Sequence, residues 1–185
     1  MGEESCPLPE HPALVEAARA LRDTGHWAWI VDDRWRLVYV TDELRLTFGA
    51  GLELAPFALG EHLFGPNAKR LSEGYRFGAN TTELTRLIFA GVGGWRLTDT
   101  PGTRDELCDL VDRSLRDLVE DLTPANPAAV GFIASGIGLS GARDIPAVGI
   151  RIDDGAGRLA GTMLISKPGP GMTTLAAEAD PPAPT

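Results

Sequence analysis

The sequence predicts an α+β domain, an antiparallel β-sheet of about five strands flanked by helices. Strand-like segments separated by short polar turns occur near both ends of the chain, and segments with apolar residues at helical spacing lie at the start and in the middle. The chain has 185 residues, of which 43% are hydrophobic, and this is enough for one domain with a buried core.

The chain begins with a polar segment and a helix. Residues 1–10 are acidic and contain proline, and we expect them to be disordered. Residues 11–25 form the first helix. Pro12 suits its first turn and Gly25 suits the cap at its end. One apolar stripe, which predicts an amphipathic helix, contains Leu14, Val15, Ala18 and Leu21.

A hairpin follows the first helix. The runs WAWIV (27–31) and WRLVYV (35–40) are rich in strand-forming residues and flank a polar break at 32–34. The sequence therefore predicts two antiparallel strands. Thr41 then offers a hydroxyl N-cap to a short helix at 42–48.

The middle of the chain is predicted to be helical. Residues 51–79 mix glycine, proline and scattered apolar residues, which indicates short turns and loops packed on the core. A helix of about three turns begins at Asn80 and stops at the glycines of 91–94. The clearest helix covers 103–122, where the first residue and Glu106 form a capping box and leucines and valines make one continuous stripe. Its acidic face is interpreted as solvated surface.

Three strands close the domain. AVGFIA (129–134) is one, and AVGIRI (147–152) and RLAGTMLIS (158–166) form a hairpin about the turn 154–157. The proline- and glycine-rich segment 168–185 is expected to be a flexible tail or a linker.

The stretch GIGLSG (136–141) has the letters of a dinucleotide-binding fingerprint but not its context. Pro146 and β-branched residues follow it, so no helix opens there to hold a pyrophosphate. The overlapping GLSGA has alanine where a hydrolase nucleophile elbow around Ser140 needs glycine. We therefore interpret this stretch as a glycine-rich connection between strands.

The composition disfavours several functional classes. A net charge of −9 without a basic cluster argues against nucleic-acid binding, and no apolar run approaches the ~20 residues of a membrane span. The N-terminus lacks signal-peptide features, so a cytoplasmic location is expected. Cys6 and Cys108 cannot build a disulfide framework, and the three histidines show no metal-ligand spacing. No catalytic or metal-binding residue is therefore predicted.

The two hairpin regions resemble those of PAS-like sensor domains. WIVDDRWRLVYVTDELRLTFG looks like the first two strands and the following helix, and IRIDDGAGRLAGTMLISKP looks like the final hairpin. The chain is similar, more closely, to the PAS-like sensory region that precedes class III adenylate/guanylate cyclase domains in actinobacterial proteins. The resemblance covers roughly 27–60 and 145–168. It implies a single PAS-like domain over 11–167 with a helical insertion at about 80–125.

The same resemblance bears on cofactors and activity. Flavin-binding relatives carry a reactive cysteine, which YRFGANTT (75–82) lacks, and haem-binding relatives use a histidine on a middle helix, which the helix from Asn80 lacks. Flavin and haem are thus disfavoured, and the cofactor is unknown. Only His62 lies near the pocket region. The cyclase catalytic sequence is absent, so the chain is expected not to be an enzyme, and would be the regulatory part of a cyclase if it is a fragment.

We therefore expect a sensor that binds a small ligand, or relays a signal through a homodimer, for a cyclase or another output domain. A ligand-free scaffold domain for protein partners and a small-molecule enzyme of unrecognised type remain alternatives. Trp27 and Trp29 share one strand face, where indoles line a pocket or simply fill the core. The residues predicted to line a pocket are Trp29, Tyr39, Phe48, His62, Phe64 and Trp95.

Overall fold

The computed structural model describes residues 6–44, 59–63, 65, 93–100, 102–111, 113–135 and 144–166. Its helices are α1 (Pro12–Leu21), α2 (residues 93–99), α3 (Thr103–Leu110) and α4 (Arg113–Glu120). Its strands are β1 (Trp27–Asp32), β2 (Leu37–Val40), β3 (Ala129–Ser135), β4 (Asp144–Asp153) and β5 (Leu159–Ser166).

The strands form one five-stranded sheet in the order β2-β1-β5-β4-β3, and every neighbouring pair is antiparallel. The first and last strands lie side by side at its centre, where Trp27 pairs with Ser166. The predicted fold class, an α+β architecture in which helices flank an antiparallel sheet of about five strands, is confirmed.

Both predicted hairpin turns are present, and each is closed by an aspartate. The carboxylate of Asp32 accepts hydrogen bonds from the amides of Arg34 (2.9 Å) and Arg36 (2.8 Å). In the β4–β5 turn, Asp154 accepts from the amides of Ala156 (2.8 Å) and Arg158 (3.0 Å). These bonds fix the local backbone in the way that aspartate does in tight turns.

The sheet has two differently covered faces. One, which we call the tryptophan face, carries Trp27, Trp29 and Val31 of β1, and the helices α2, α3 and α4 contribute to its core. The opposite face, which we call the α1 face, carries Ala28 and Ile30 and packs against the predicted stripe of α1, of which Leu14, Ala18 and Leu21 are buried.

The predicted helix 103–122 is wrong in its continuity, because Val111 has an extended backbone (ψ 155°) that separates α3 from α4. The guanidinium of Arg104, at the start of α3, donates to the carbonyl oxygens of Glu120 and Leu122, at the end of α4. In one continuous helix, residues 104 and 120 would be about 24 Å apart. The chain therefore turns back on itself, and Leu107 and Val119 are both buried in the same core.

The predicted capping box is also wrong. Gly102 is the N-cap of α3, with φ of 79°, and the hydroxyl of Thr103 donates back to the carbonyl of Thr100 (2.7 Å). Glu106 binds Arg96 instead of the helix start. Glycine tolerates the left-handed backbone that this entry requires.

Other predictions differ from the structure or lie outside its described part. Residues 42–44 are helical, as predicted, but the hydroxyl of Thr41 bonds to the backbone of His26 and Ala28 and does not cap them. Helix α2 begins within the glycine stretch 91–94, where the sequence predicts the end of a helix. The predictions outside the described residues are the end of the short helix (45–48), most of the loop segment (51–58 and 66–79), the helix from Asn80, Phe48, Phe64, the GIGLSG stretch and the tail.

Candidate functional site

The structure distributes the predicted pocket residues over both faces of the sheet. Trp29 is half-buried and Trp95 fully buried in the core of the tryptophan face. Tyr39 lies on the α1 face, because the β1–β2 register shifts between Ile30 and Val31. His62 lies beside β2, where it forms a backbone bridge with Arg36.

Helix α2 is fixed at its N-terminal end by the segment that leads into β3. The indole N–H of Trp95 donates to the carbonyl of Pro127 (2.6 Å), and the amide of Ala125 donates to the carbonyl of Gly94 (3.1 Å). A Cβ at Gly94 would lie 2.7 Å from the carbonyl oxygen of Thr123, so only glycine permits this close approach.

At its other end, α2 is tied to the β4–β5 hairpin by Asp99. This carboxylate accepts from the guanidinium of Arg151 and from the amide of Leu159 (2.7 Å). The hydrogen bond from Arg151 lowers the pKa of Asp99. Arg151 also donates from Nε to Asp153 (2.6 Å), and although burial opposes it, these two carboxylates raise its pKa. The two ends together fix α2 over the tryptophan face.

Arg96 lies on the same helix and is fully buried, with 0% of its surface exposed. Its Nη2 donates to Glu106 of α3 (2.6 Å), whose side chain is 47% exposed. Nε and Nη1 of Arg96 are also buried, and no residue in the described ranges offers either of them an acceptor. Burial lowers the pKa of Arg96, while Glu106 opposes that effect.

Thr162 of β5 is a second buried polar group on the tryptophan face. It lies between Val31 of β1 and Arg151 of β4 in the sheet register. Its side chain is on the tryptophan face, because directly paired residues share a face. Only 1% of the residue is exposed, and within the part of the chain that the structure describes its hydroxyl has no hydrogen-bond partner. Nη1 of Arg151 is likewise buried, and no described residue accepts a hydrogen bond from it.

His62 is uncharged near neutral pH. Burial and, next, the positive charge of Arg96 lower its pKa to about 4, and the carboxylate of Glu106 only partly offsets them. The imidazole therefore adds no positive charge to the surroundings of Arg96.

A cavity of about 290 Å³ lies between α2, α4 and the segment leading into β3. Two of its lining residues, Trp95 and Leu122, also belong to the core of the tryptophan face. The lining residues are Gly94, Trp95, Leu118, Asp121, Leu122, Thr123, Ala125 and Pro127.

The described ranges contain neither a metal-binding cluster nor a membrane-spanning helix. No group of three histidine, cysteine, aspartate or glutamate side chains there is arranged to hold a metal ion. Cys108 is a half-buried thiol outside any disulfide. In the same part of the chain, no helix has the length and apolar character that crossing a membrane requires.

The buried donors were not predicted from the sequence. Arg96, Arg151 and Thr162 belong to ordinary local patterns, and a single arginine gives no sign of whether it is buried. Only the burial of Thr162 could have been predicted. Alternation within RLAGTMLIS places Thr162 on the same strand face as the apolar Leu164, which lies in the core.

Comparison with known proteins gives similarities to solved structures only. No protein-family model and no curated protein matches the chain. The PAS domain of BvgS from Bordetella pertussis is similar, with a TM-score of 0.47 and 13% identity, over 84% of this chain and 86% of that chain. The VqmA dimer of Vibrio cholerae, described among LuxR-type receptors, gives a TM-score of 0.39 and 13% identity, over 83% of this chain and 50% of that chain.

Proposed function

We propose that this chain is a PAS-like sensory or regulatory module that binds a small molecule between its tryptophan face and α2. The observation that carries the proposal is Arg96, whose Nε and Nη1 are buried without an acceptor among the described residues. The great majority of buried polar groups in folded proteins have a hydrogen-bond partner. Buried donors without one therefore favour a site that a ligand completes, and a scaffold domain that acts only through its surface has no need of them.

The surroundings of Arg96 suit a small ligand. Trp35 and Trp95 are each 1% exposed in the adjoining core, and aromatic side chains with a few placed polar groups are typical of ligand sites. Of the predicted pocket residues that the structure describes, the proposed site uses Trp29, His62 and Trp95. Tyr39 faces α1 and has no part in it.

The resemblance of both hairpins to PAS-like sensors supports the same function and extends it. Its similarity to the region before class III cyclases suggests that the module regulates a cyclase or another output domain. In this proposal, ligand occupancy changes how α2 lies on the sheet. A homodimer would then pass that change to the output domain.

Native mass spectrometry of the purified protein, paired with an absorption spectrum, tests the proposal. We expect a small molecule bound at one copy per chain, either retained from the host cell or acquired from a metabolite extract. Arg96→Met should lose it, whereas the matched control Arg116→Met, at an exposed position on α4, should keep it. A protein that stays free of ligand in every extract would refute ligand binding and favour the scaffold alternative.

A further inference from the structure

We infer that the ligand is an uncharged molecule that presents carbonyl oxygen or ring-nitrogen acceptors to Arg96, Arg151 and Thr162, an inference that rests on the proposed function. Three connections join these residues. Arg96 and Asp99 lie one turn apart on α2, Asp99 binds Arg151, and Arg151 is the β4 partner of Thr162. Directly paired residues on one sheet face have Cβ atoms about 4.5–5.5 Å apart.

The hydrogen-bonding chemistry of these groups selects an acceptor. Guanidinium nitrogens only donate, so Nε and Nη1 of Arg96 and Nη1 of Arg151 each need an acceptor, which their neighbours in the described ranges do not supply. The hydroxyl of Thr162 can donate or accept. A ligand that mainly donates, such as an amine, would leave these buried guanidinium N–H groups without the acceptors that they need.

The charges around the two arginines argue against an anionic ligand. Arg96 is paired with Glu106 and is also influenced by Asp32 and Asp33. Arg151 is paired with the side chains of Asp99 and Asp153. Carboxylates therefore outnumber these two guanidinium groups. A carboxylate or phosphate ligand would meet net negative charge, whereas an uncharged acceptor uses the remaining N–H groups without repulsion.

Burial points to the same ligand class. Arg96 and Thr162 are removed from water, and a ligand that brings a net charge into such a place loses its hydration. Uncharged acceptors lose less, and a flat ring can also contact the indoles of Trp35 and Trp95, which belong to the same core cluster. A planar ring with carbonyl groups thus fits the donors and the aromatic surroundings together.

The arginine side-chain Nε–H signals in NMR spectra of the whole chain report directly on these donors. The probes are uracil, an uncharged ring with two carbonyl groups, and acetate and phosphate as anions, each at millimolar concentration. The Arg96 signal is assigned by its absence in Arg96→Met, with Arg116→Met as the control. We expect uracil to shift the Arg96 Nε–H signal. Thr162→Val should weaken this binding roughly tenfold, as the loss of one good hydrogen bond does.

Each outcome has a defined meaning. A shift with uracil alone supports the uncharged class. A shift with acetate or phosphate but not uracil overturns that class and leaves ligand binding itself intact. If no probe shifts the signal, the inference about the ligand class fails. The native mass spectrum then decides whether the chain binds a ligand at all. A spectrum with bound ligand keeps the proposed function, and an empty one rejects it as well.

Discussion

Replacing Thr162 by valine should make the ligand-free protein more stable. The hydroxyl is buried with 1% of the residue exposed, and among the described residues it bonds to nothing. Burying a hydroxyl without a partner costs about 1–3 kcal/mol, and valine has almost the same shape without that group. We therefore expect the free energy of unfolding to rise by about 1–2 kcal/mol, and the melting temperature by roughly 2–4 °C per kcal/mol.

Thr41 provides a matched control for this measurement. It is also 1% exposed, but its hydroxyl accepts from the amide of Ala28 (3.0 Å) and donates to the carbonyl of His26 (2.9 Å). Thr41→Val removes the hydroxyl from the amide of Ala28 and the carbonyl of His26, so it should lower the free energy of unfolding by about 1–3 kcal/mol. Urea unfolding followed by circular dichroism, at one pH and without ligand, measures both variants.

The opposite sign for Thr162→Val would refute the reasoning. A loss of stability similar to that of Thr41→Val would mean that an ordered water or another group already satisfies the hydroxyl. A gain in stability together with weaker ligand binding would instead show a residue kept for function at the expense of stability.

Gly157→Val should lower the free energy of unfolding by about 1–2 kcal/mol, because Gly157 has φ of 77° in the β4–β5 turn; an unchanged urea midpoint would contradict this. Gly161→Ala should cost about 1–3 kcal/mol or more in the same assay, since its Cβ would overlap the carbonyl oxygen of Val31. The control Gly131→Ala, with open space at its Cβ, should cost far less. His62 has a folded-state pKa of about 4 against an ordinary value of 6.5, so the unfolded chain binds the proton first, and stability should fall as the pH drops between these values. His62→Gln should flatten that pH dependence in urea titrations, and an equally steep slope in this variant would assign the effect to other groups.

The sequence was sufficient for those parts of the fold that local chemistry determines. The strands of both hairpins follow from β-branched and aromatic runs, and their turns follow from aspartates that bind nearby amides. The amphipathic helix α1 follows from its stripe, of which Leu14, Ala18 and Leu21 are buried. In each case, the information lies within a few residues.

The rest depends on distant residues. The break at Val111 brings Arg104 to the end of α4, and periodicity alone favours one long helix. The register shift at Ile30 and Val31 places Tyr39 on the α1 face, and strict alternation cannot show such a shift. The buried donors of the candidate site were not predicted either, because the burial of Arg96 depends on how the whole chain folds.

The pairing of β1 with β5 also has a consequence for how the chain folds. The hydroxyl of Ser166 donates to the carbonyl of Trp27 (3.5 Å), a residue 139 positions earlier in the sequence. The paired strands β1 and β5 are thus the first and last strands along the chain. The β1–β2 and β4–β5 hairpins can form early from local contacts. They can pair with each other only after the long chain segment between them closes into a loop, and such pairing of strands far apart in sequence is slow. During synthesis, the N-terminal hairpin must wait with its central edge unpaired until residues 159–166 leave the ribosome. Its aromatic surface is exposed to aggregation for that time.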